Sequence, residues 1–407
     1  MPQPVGRVGR EQQRGAWAWF DFLRRGGAQK APEAKASATG PLVAWASTGR
    51  VSWSPRDVAS LTRSGYAGNP VGFRCVKLVA EAAAALPVMA QDRTQRYETH
   101  PVLDLIARPN AAQGRAAFLE SLYGQLLLSG DGYVEAVGGG DGWPVELHVL
   151  RSDRMRVVPG DDGWPVGYTY TVGAKKLRFD ASVICHIRNF HPQDDHYGFS
   201  PMQAAAMAVD VHNAASRWSK ALLDNAARPS GALVWNSADG QGVMTEEQFR
   251  RLSDEIEANF QGARNAGRPM VLEGGLDWKP MGFSPSDMEF QKTKEAAARE
   301  IALAFGVPPM LLGIPGDATY ANYQEAHRAF YRLTVLPLAG RVLAALADWL
   351  SRFDGAPVEL KPDPDQVPAL APERDALWAR VAGAEFLSAT EKRRMLGLPV
   401  EEGGRDG

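Results

Sequence analysis

Two long helical patterns joined by a segment crowded with glycine and proline constrain this chain more than anything else in it. In the first, Ser286 and Asp287 are placed to cap and charge a helix start, and strong helix formers continue through Glu300. The pattern passes into Ile301-Ala-Leu-Ala-Phe-Gly-Val-Pro-Pro-Met-Leu-Leu-Gly313, where Gly306 and then Pro308 and Pro309 stop it. The loop from Gly313 to Tyr320 holds too many turn formers to be regular structure. A second helix is expected from near Asn322, with Tyr323, Ala326, Phe330, Leu333, Leu336 and Leu338 forming a buried stripe that Pro337 interrupts. Two long helices flanking an exposed, flexible finger are therefore predicted.

Composition narrows the class. A chain of 407 residues with 45% apolar content can build packed cores in about two or three domains. Lys and Arg total 45 against 47 Asp and Glu, a formal charge of −2, which excludes gripping nucleic acid through bulk electrostatics. Cys75 and Cys185 sit in apolar or strand-like runs and are expected to be reduced and buried. The apolar run Trp17 to Leu23, flanked by Arg14, Arg24 and Arg25, is too short for a signal peptide and lacks a cleavage pattern. The longest hydrophobic stretch, Ile301 to Leu312, is broken by Gly306 and two prolines and cannot span a bilayer. A soluble chain without a membrane partner is expected.

Along the chain, residues 1–50 read as a disordered arm carrying an aromatic cluster at Trp17, Trp19, Phe20 and Phe22, either a local packing element or a docking or membrane-surface segment. An α+β region follows, with helices over 71–85 and 115–129 and then short strands. Asp141-Gly-Trp-Pro-Val and Asp162-Gly-Trp-Pro-Val each read as a turn into a strand. A helix opens at Ser200-Pro201, where proline's missing donor does no harm, and runs to about 226 with many alanines, which permit close helix approach. The insert after it reads as a strand at Gly231–Trp235, a capping box at Thr245-Glu-Glu-Gln248, an apolar helix face of Phe249, Leu252, Ile256 and Phe260, and strands at Pro269–Glu273 and Leu276–Met281. Pro357 to Pro372 reads as an extended connector leading to short helices at 373–383 and 390–396 and a disordered tail.

Catalytic motifs are absent: no Gly-x-x-x-x-Gly-Lys-Ser/Thr phosphate loop, no His-Glu-x-x-His, no Gly-x-Ser-x-Gly and no Cys-x-x-Cys. The cluster Cys185, His186, His191, Asp194, Asp195 and His196 has ligand types that suit zinc, at a spacing that matches no closed finger. It reads either as a polar loop or as the centre of a metal-dependent enzyme built on His186, His191 and His196. Lys292 and Arg299, two helical turns apart, belong either to a solvated face with local ion pairs or to a surface turned toward a channel.

Several segments in order resemble the portal protein, or head-tail connector, of tailed bacteriophages with a lambda-like head. They are Cys75-Val-Lys-Leu-Val-Ala-Glu-Ala-Ala-Ala-Ala-Leu-Pro87, His100-Pro…Pro109-Asn110, Leu128-Ser-Gly-Asp-Gly-Tyr133, His186-Ile187 with Tyr197-Gly-Phe-Ser-Pro201, and Phe305-Gly-Val-Pro-Pro309 with the loop and helix after it. Asp131-Gly132 stands where the family pattern has Asn-Ala. The resemblance implies an α+β portal fold with an α/β wing, long stem helices, a small α/β clip and a short helical crown. Its divisions would be arm 1–50, wing 51–198, first stem helix 199–228, clip 229–282, second stem helix 283–306, tunnel loop and kinked wing helix 307–353, and crown and tail 354–407. It implies a homo-dodecamer at one vertex of a virion, prophage particle or gene transfer particle, assembled in the bacterial cytoplasm. Double-stranded DNA would pass through it, and large terminase, major capsid protein and a head-tail adaptor would be its partners. No catalytic activity, metal or cofactor is implied. The DNA-contacting tunnel loop would be Gly316, Asp317, Ala318, Thr319 and Tyr320, the wall would present Lys292 and Arg299, and the clip would dock through Trp235, Thr245, Glu246, Arg250, Arg264 and Asn265. A near-neutral wall suits such a channel, since tight phosphate contacts would trap a moving duplex. A ring-forming channel component unrelated to phage is the other reading.

Overall fold

The computed structural model describes residues 57–92, 95–138, 142–224, 231–235, 245–260, 276–280, 290–314, 319–354 and 357–398. The expected arm, its aromatic cluster, the tail, the start of the second long helix at Ser286 and the strand at Pro269–Glu273 lie outside those residues. The first described element was not anticipated. Asp57 caps α1 (Val58–Leu61) through the Ser60 N–H, and the helix runs on as a wider π turn over Thr62–Ala67. Asn69 then caps α2 (Pro70–Ala84), accepting from Val71 and Gly72, with proline at the first helical position. The His-Pro pair has the same logic: His100 Nδ1 accepts from the Val102 N–H and Pro101 opens α3 (Pro101–Ala107). In α4 (Arg115–Ser129) Phe118, Leu119, Leu122, Tyr123 and Leu126 are buried against α2, and Gly130 closes the helix at φ 85°.

The strands are β1 (Val88–Gln91), β2 (Arg96–Tyr97), β3 (Asp131–Gly138), β4 (Pro144–Leu150), β5 (Met155–Pro159), β6 (Pro165–Val172), β7 (Lys175–Asp180) and β8 (Ile184–Arg188). All pair antiparallel: β3 lies between β4 and β8, and β5, β6 and β7 form a meander. The two Gly-Trp-Pro-Val repeats sit at matching places. Each begins with a glycine in the left-handed region, Gly142 at φ 88° and Gly163 at φ 81°, and each hairpin slips register beside its turn, at Val137/Gly138 and at Val158/Pro159. Asn110 ties the Pro-Asn turn to β4: its side-chain amide donates to the Leu147 carbonyl, and the Leu147 N–H donates to Pro109.

Helices α5 (Pro201–Ala204) and α6 (Ala206–Asp224) form the first long element; Ser200 and Gln203 make a full capping box. The insert holds β9 (Gly231–Trp235), α7 (Glu246–Phe260) and β10 (Leu276–Pro280), with β9 and β10 antiparallel. Phe249, on the expected apolar face of α7, is exposed. α8 (Phe290–Ala304) is the second long element, and α9 (Tyr320–Phe330), a π turn over Tyr331–Val335 and α10 (Leu336–Asp354) make one continuous helix.

That helix corrects the predicted stripe. Leu333 is 69% exposed and Tyr323 is also exposed; the buried series is Phe330, Val335, Ala339, Val342, Leu343, Leu346 and Leu350. The π turn inserts a residue, so the buried position after Phe330 falls five residues on, and it lies where Pro337 would otherwise crowd the Leu333 carbonyl. By length and composition the helix from Tyr320 to Phe353 could cross a membrane, but its apolar face is packed in the same core as α2 and α4. The connector is corrected as well: β11 (Glu359–Pro362) pairs with β1, and Val358, Leu360, Val367 and Leu370 are buried. Its prolines hid a short alternating strand. The chain then closes with α11 (Ala371–Ala382) and α12 (Ala389–Met395).

Candidate functional site

The two long helices that flank the insert pack on each other along their lengths. Small residues allow it: Ala205, Ala206, Ala208 and Ala215 are buried on the first, and Ala297, Ala298 and Ala302 on the second, with Val209, Ile301 and Phe305 filling the space between and beside them. Near the insert, Trp218 stacks on Phe290 with ring centroids 3.8 Å apart. The opposite surfaces of the pair are exposed. Met207 is 58% and Leu303 79% accessible, and Lys292, Ala296 and Arg299 lie on one exposed stripe with Leu303. Lys292 and Arg299 thus share a face as their spacing predicts, although neither is a free cation.

Where α8 ends, Gly306 takes φ 64° and the Val307 N–H returns to the Ala302 carbonyl. A Cβ at position 306 would lie 2.6 Å from Thr334 Oγ1, which donates to the Gly306 carbonyl at 2.7 Å. The glycine of Phe-Gly-Val-Pro-Pro is therefore required twice, by its dihedral and by the helix that crosses it. The chain proceeds through Pro309–Leu312 in a single 3₁₀ turn to Gly313 at φ 71°. Gly316, Asp317 and Ala318 lie outside the described residues. Thr319 and Tyr320, expected at the tip of an irregular loop, belong to α9. Thr319 is its N-cap, accepting from the Asn322 N–H at 3.2 Å, and Tyr320 is its first residue. Thr at a cap position was the signal that placed the boundary there. Tyr320 is nevertheless 78% exposed, and its hydroxyl accepts from Gln324 Nε2.

In the insert, Trp235 ends β9 opposite Leu276. Thr245 and Gln248 form the expected reciprocal cap, and Thr245, Glu246 and Arg250 are exposed. Arg264 and Asn265 lie outside the described residues.

The candidate metal ligands of the sequence are dispersed into separate tasks. His186 Nε2 pairs with Asp131 Oδ1 at 2.9 Å, and its ring stacks on Tyr133. Cys185 donates to the Ala345 carbonyl, and burial pushes its thiol up to about 12, so it stays protonated. His191 meets the Phe199 ring edge-on and its Nδ1 accepts from the Gln193 N–H. Asp194 accepts from the His196 and Tyr197 N–H groups, and Arg188 donates to the Asp195 carbonyl. Among the described residues no three His, Cys, Asp or Glu side chains converge as metal ligands. Sequence reasoning missed the actual use of this region. Asp131 Oδ1 also accepts from the Gly198 N–H at 2.9 Å, and the Asn189 N–H donates to the Gly130 carbonyl at 2.8 Å. Ser-Gly-Asp-Gly-Tyr and Tyr-Gly-Phe-Ser-Pro, distant in sequence, are the two halves of one clamp that fixes the start of the first long helix.

Comparison with known proteins gives a consistent picture. The family model described as "Phage portal protein" matches residues 70–397. An uncharacterized protein of Rickettsia bellii is 39% identical over 83% of this chain and 89% of its own length. The portal protein of Enterobacteria phage HK97 is 25% identical over 86% of this chain and 81% of its own. Among solved structures, a chain in the neck of an empty GTA particle is 72% identical, with a TM-score of 0.68, covering 86% of this chain and 96% of that one. A chain in the neck of a native gene transfer agent (GTA) particle with C12 symmetry is 68% identical, with a TM-score of 0.66 and coverages of 90% and 97%. An HK97-family portal protein from Corynebacterium diphtheriae, 16% identical with a TM-score of 0.58 over 78% and 99%, shares the fold.

Proposed function

The chain belongs to the phage portal protein family, and we propose that it is the portal subunit of a gene transfer agent or phage particle, closing with further copies into a dodecameric ring at one vertex through which double-stranded DNA passes. The observation that carries this reading is the lengthwise packing of α6 on α8 with the insert at one end: a hairpin of this kind can stand beside its copies as the stave of a barrel. The 68% identity to a chain in a neck with C12 symmetry supports the stoichiometry and the place in the particle. The role is structural, with no catalytic residue, metal or cofactor assigned.

In this reading residues 199–228 and 283–306 build the channel wall, with Lys292 and Arg299 turned toward the axis. The clip, 229–282, meets the large terminase during packaging and the head-tail adaptor afterwards, through Trp235, Thr245, Glu246, Arg250, Arg264 and Asn265. Gly316, Asp317, Ala318, Thr319 and Tyr320 touch the duplex, the wing is 51–198 with the kinked helix of 307–353, and the major capsid protein is a further partner. A ring needs two different complementary faces on each subunit. The exposed apolar side chain of Met207 suits such a contact between copies. Negative-stain images of the purified full-length protein test this: closed rings of about twelve copies are expected, closure by that symmetry argument and the number from the relative's neck computed with C12 symmetry, whereas a two-fold dimer as the sole assembly would overturn it.

A further inference from the structure

A recess of 610 Å³ lies where the first helical segment, the start of α2 and the outer flank of α6 converge; Ser60, Arg63, Ser64, Pro70, Ser216 and Arg217 are among its lining residues. Three properties give it one chemical character. It presents two guanidinium groups, from two different elements, and among the described residues no carboxylate lines it. Asp57, which caps the Ser60 N–H and feels the charge of Arg63, offsets part of that charge from outside the lining. The N-terminal end of the fifteen-residue helix α2 opens into it at Pro70, adding the positive end of a helix dipole. Its floor is rigid and already satisfied: Asn69 donates to Asn213 Oδ1 at 2.9 Å and pairs with His212 Nδ1 at 3.1 Å, and Asn213 donates to the Ser64 carbonyl at 2.9 Å, with Asn69, His212 and Asn213 all buried.

Two guanidinium forks above already satisfied polar groups are an arrangement that can hold a tetrahedral oxyanion, since each guanidinium can donate two parallel hydrogen bonds. Arg63 uses one donor on Ser60 Oγ, and Arg217 makes no ion pair among the described residues. We propose that this recess is a binding site for a phosphate group, held between Arg63 and Arg217. Its open mouth admits either free phosphate or a phosphate that is part of a strand. The site stands independently of the ring, of the tunnel loop and of the stripe bearing Lys292 and Arg299.

The test titrates inorganic phosphate into the purified full-length protein at low salt by calorimetry. Saturable binding is expected for the wild type, weakened at least about ten-fold in R63Q/R217Q, the loss anticipated for removing paired charge-assisted bonds, and unchanged in R178Q, which alters an exposed cation on β7. Melting curves check that the double variant folds; should it not, R63K/R217K keeps both charges without the forks and is expected to bind with intermediate strength. No phosphate binding by the wild type, or equal binding by the folded double variant, overturns the site. A short DNA duplex added as competitor then identifies the source: displacement of phosphate assigns the recess to a strand phosphate, and the absence of displacement assigns it to the free ion.

Discussion

Gly198 and Gly130 pass each other so closely that neither tolerates a side chain. A Cβ on Gly198 would lie 2.1 Å from the Gly130 carbonyl oxygen, which is backbone and cannot turn aside. Gly198→Ala is therefore expected to cost roughly 2–4 kcal/mol, at and beyond the upper end of overpacking. Gly124→Ala, inside α4 with no atom within 4 Å of the new methyl, should instead gain about 0.5–1 kcal/mol. Opposite shifts of the urea midpoint check the pair; equal shifts would mean the clamp yields. His212 supplies a pH dependence. Burial, and secondarily the charge of Lys294, hold its imidazole below the ordinary 6.5. Its Nδ1 faces the Asn69 amide nitrogen, which can donate but not accept. Because the folded pKa is depressed, the unfolded chain binds the extra proton first. The contribution is complete above about pH 7 and is lost as pH falls through 6.5 toward the folded value. The urea midpoint should thus drop more between pH 7.5 and 5.5 in the wild type than in His212→Gln, and identical drops would remove His212 from the account.

At the scale of elements, the π turn over Tyr331–Val335 decides which side chains of the long helix face the core. Leu333→Ser should leave stability within about 0.5 kcal/mol of wild type, because the side chain is already in solvent, while Val335→Ala, fully buried, should cost about 2 kcal/mol. Regular α-helical spacing from Phe330 would invert the order, so the two denaturation curves read the register directly. This is where sequence reasoning reached its limit. The helices at 71–85, 115–129 and 199–226, the strand Gly231–Trp235 and the cap at Thr245 were legible because periodicity, caps and prolines act within a few residues of one another. The one-residue insertion of a π turn leaves no such local mark. Nor did β11, whose Val358 and Leu360 acquire meaning only beside β1, or Asp131, whose partners Gly198 and His186 are brought to it by the fold.

For the whole molecule, the sequence disclosed the two long helices that pair across the insert, whereas the recess lined by Arg63 and Arg217 was invisible because its lining comes from segments far apart in the chain. The finger carries the last prediction. Its flanks are held by structure of their own: Gly313 ends one turn in the left-handed region, and Thr319 caps α9 with its side-chain oxygen. Removing Gly316 to Ala318 touches neither flank, so subunit folding and ring closure, which draw on α6, α8 and the wing, should survive. If these residues meet the duplex, particles built with the shortened portal should assemble in normal number yet hold less DNA, measured as packaged DNA per particle. Ser388→Ala, which removes the side-chain cap of α12 away from the finger, separates this from a stability effect, since it should cost about 1 kcal/mol of helix capping without changing DNA content. Loss of the ring in the deletion variant would make the finger part of the interface between copies; unchanged DNA content would take it out of the path of the genome.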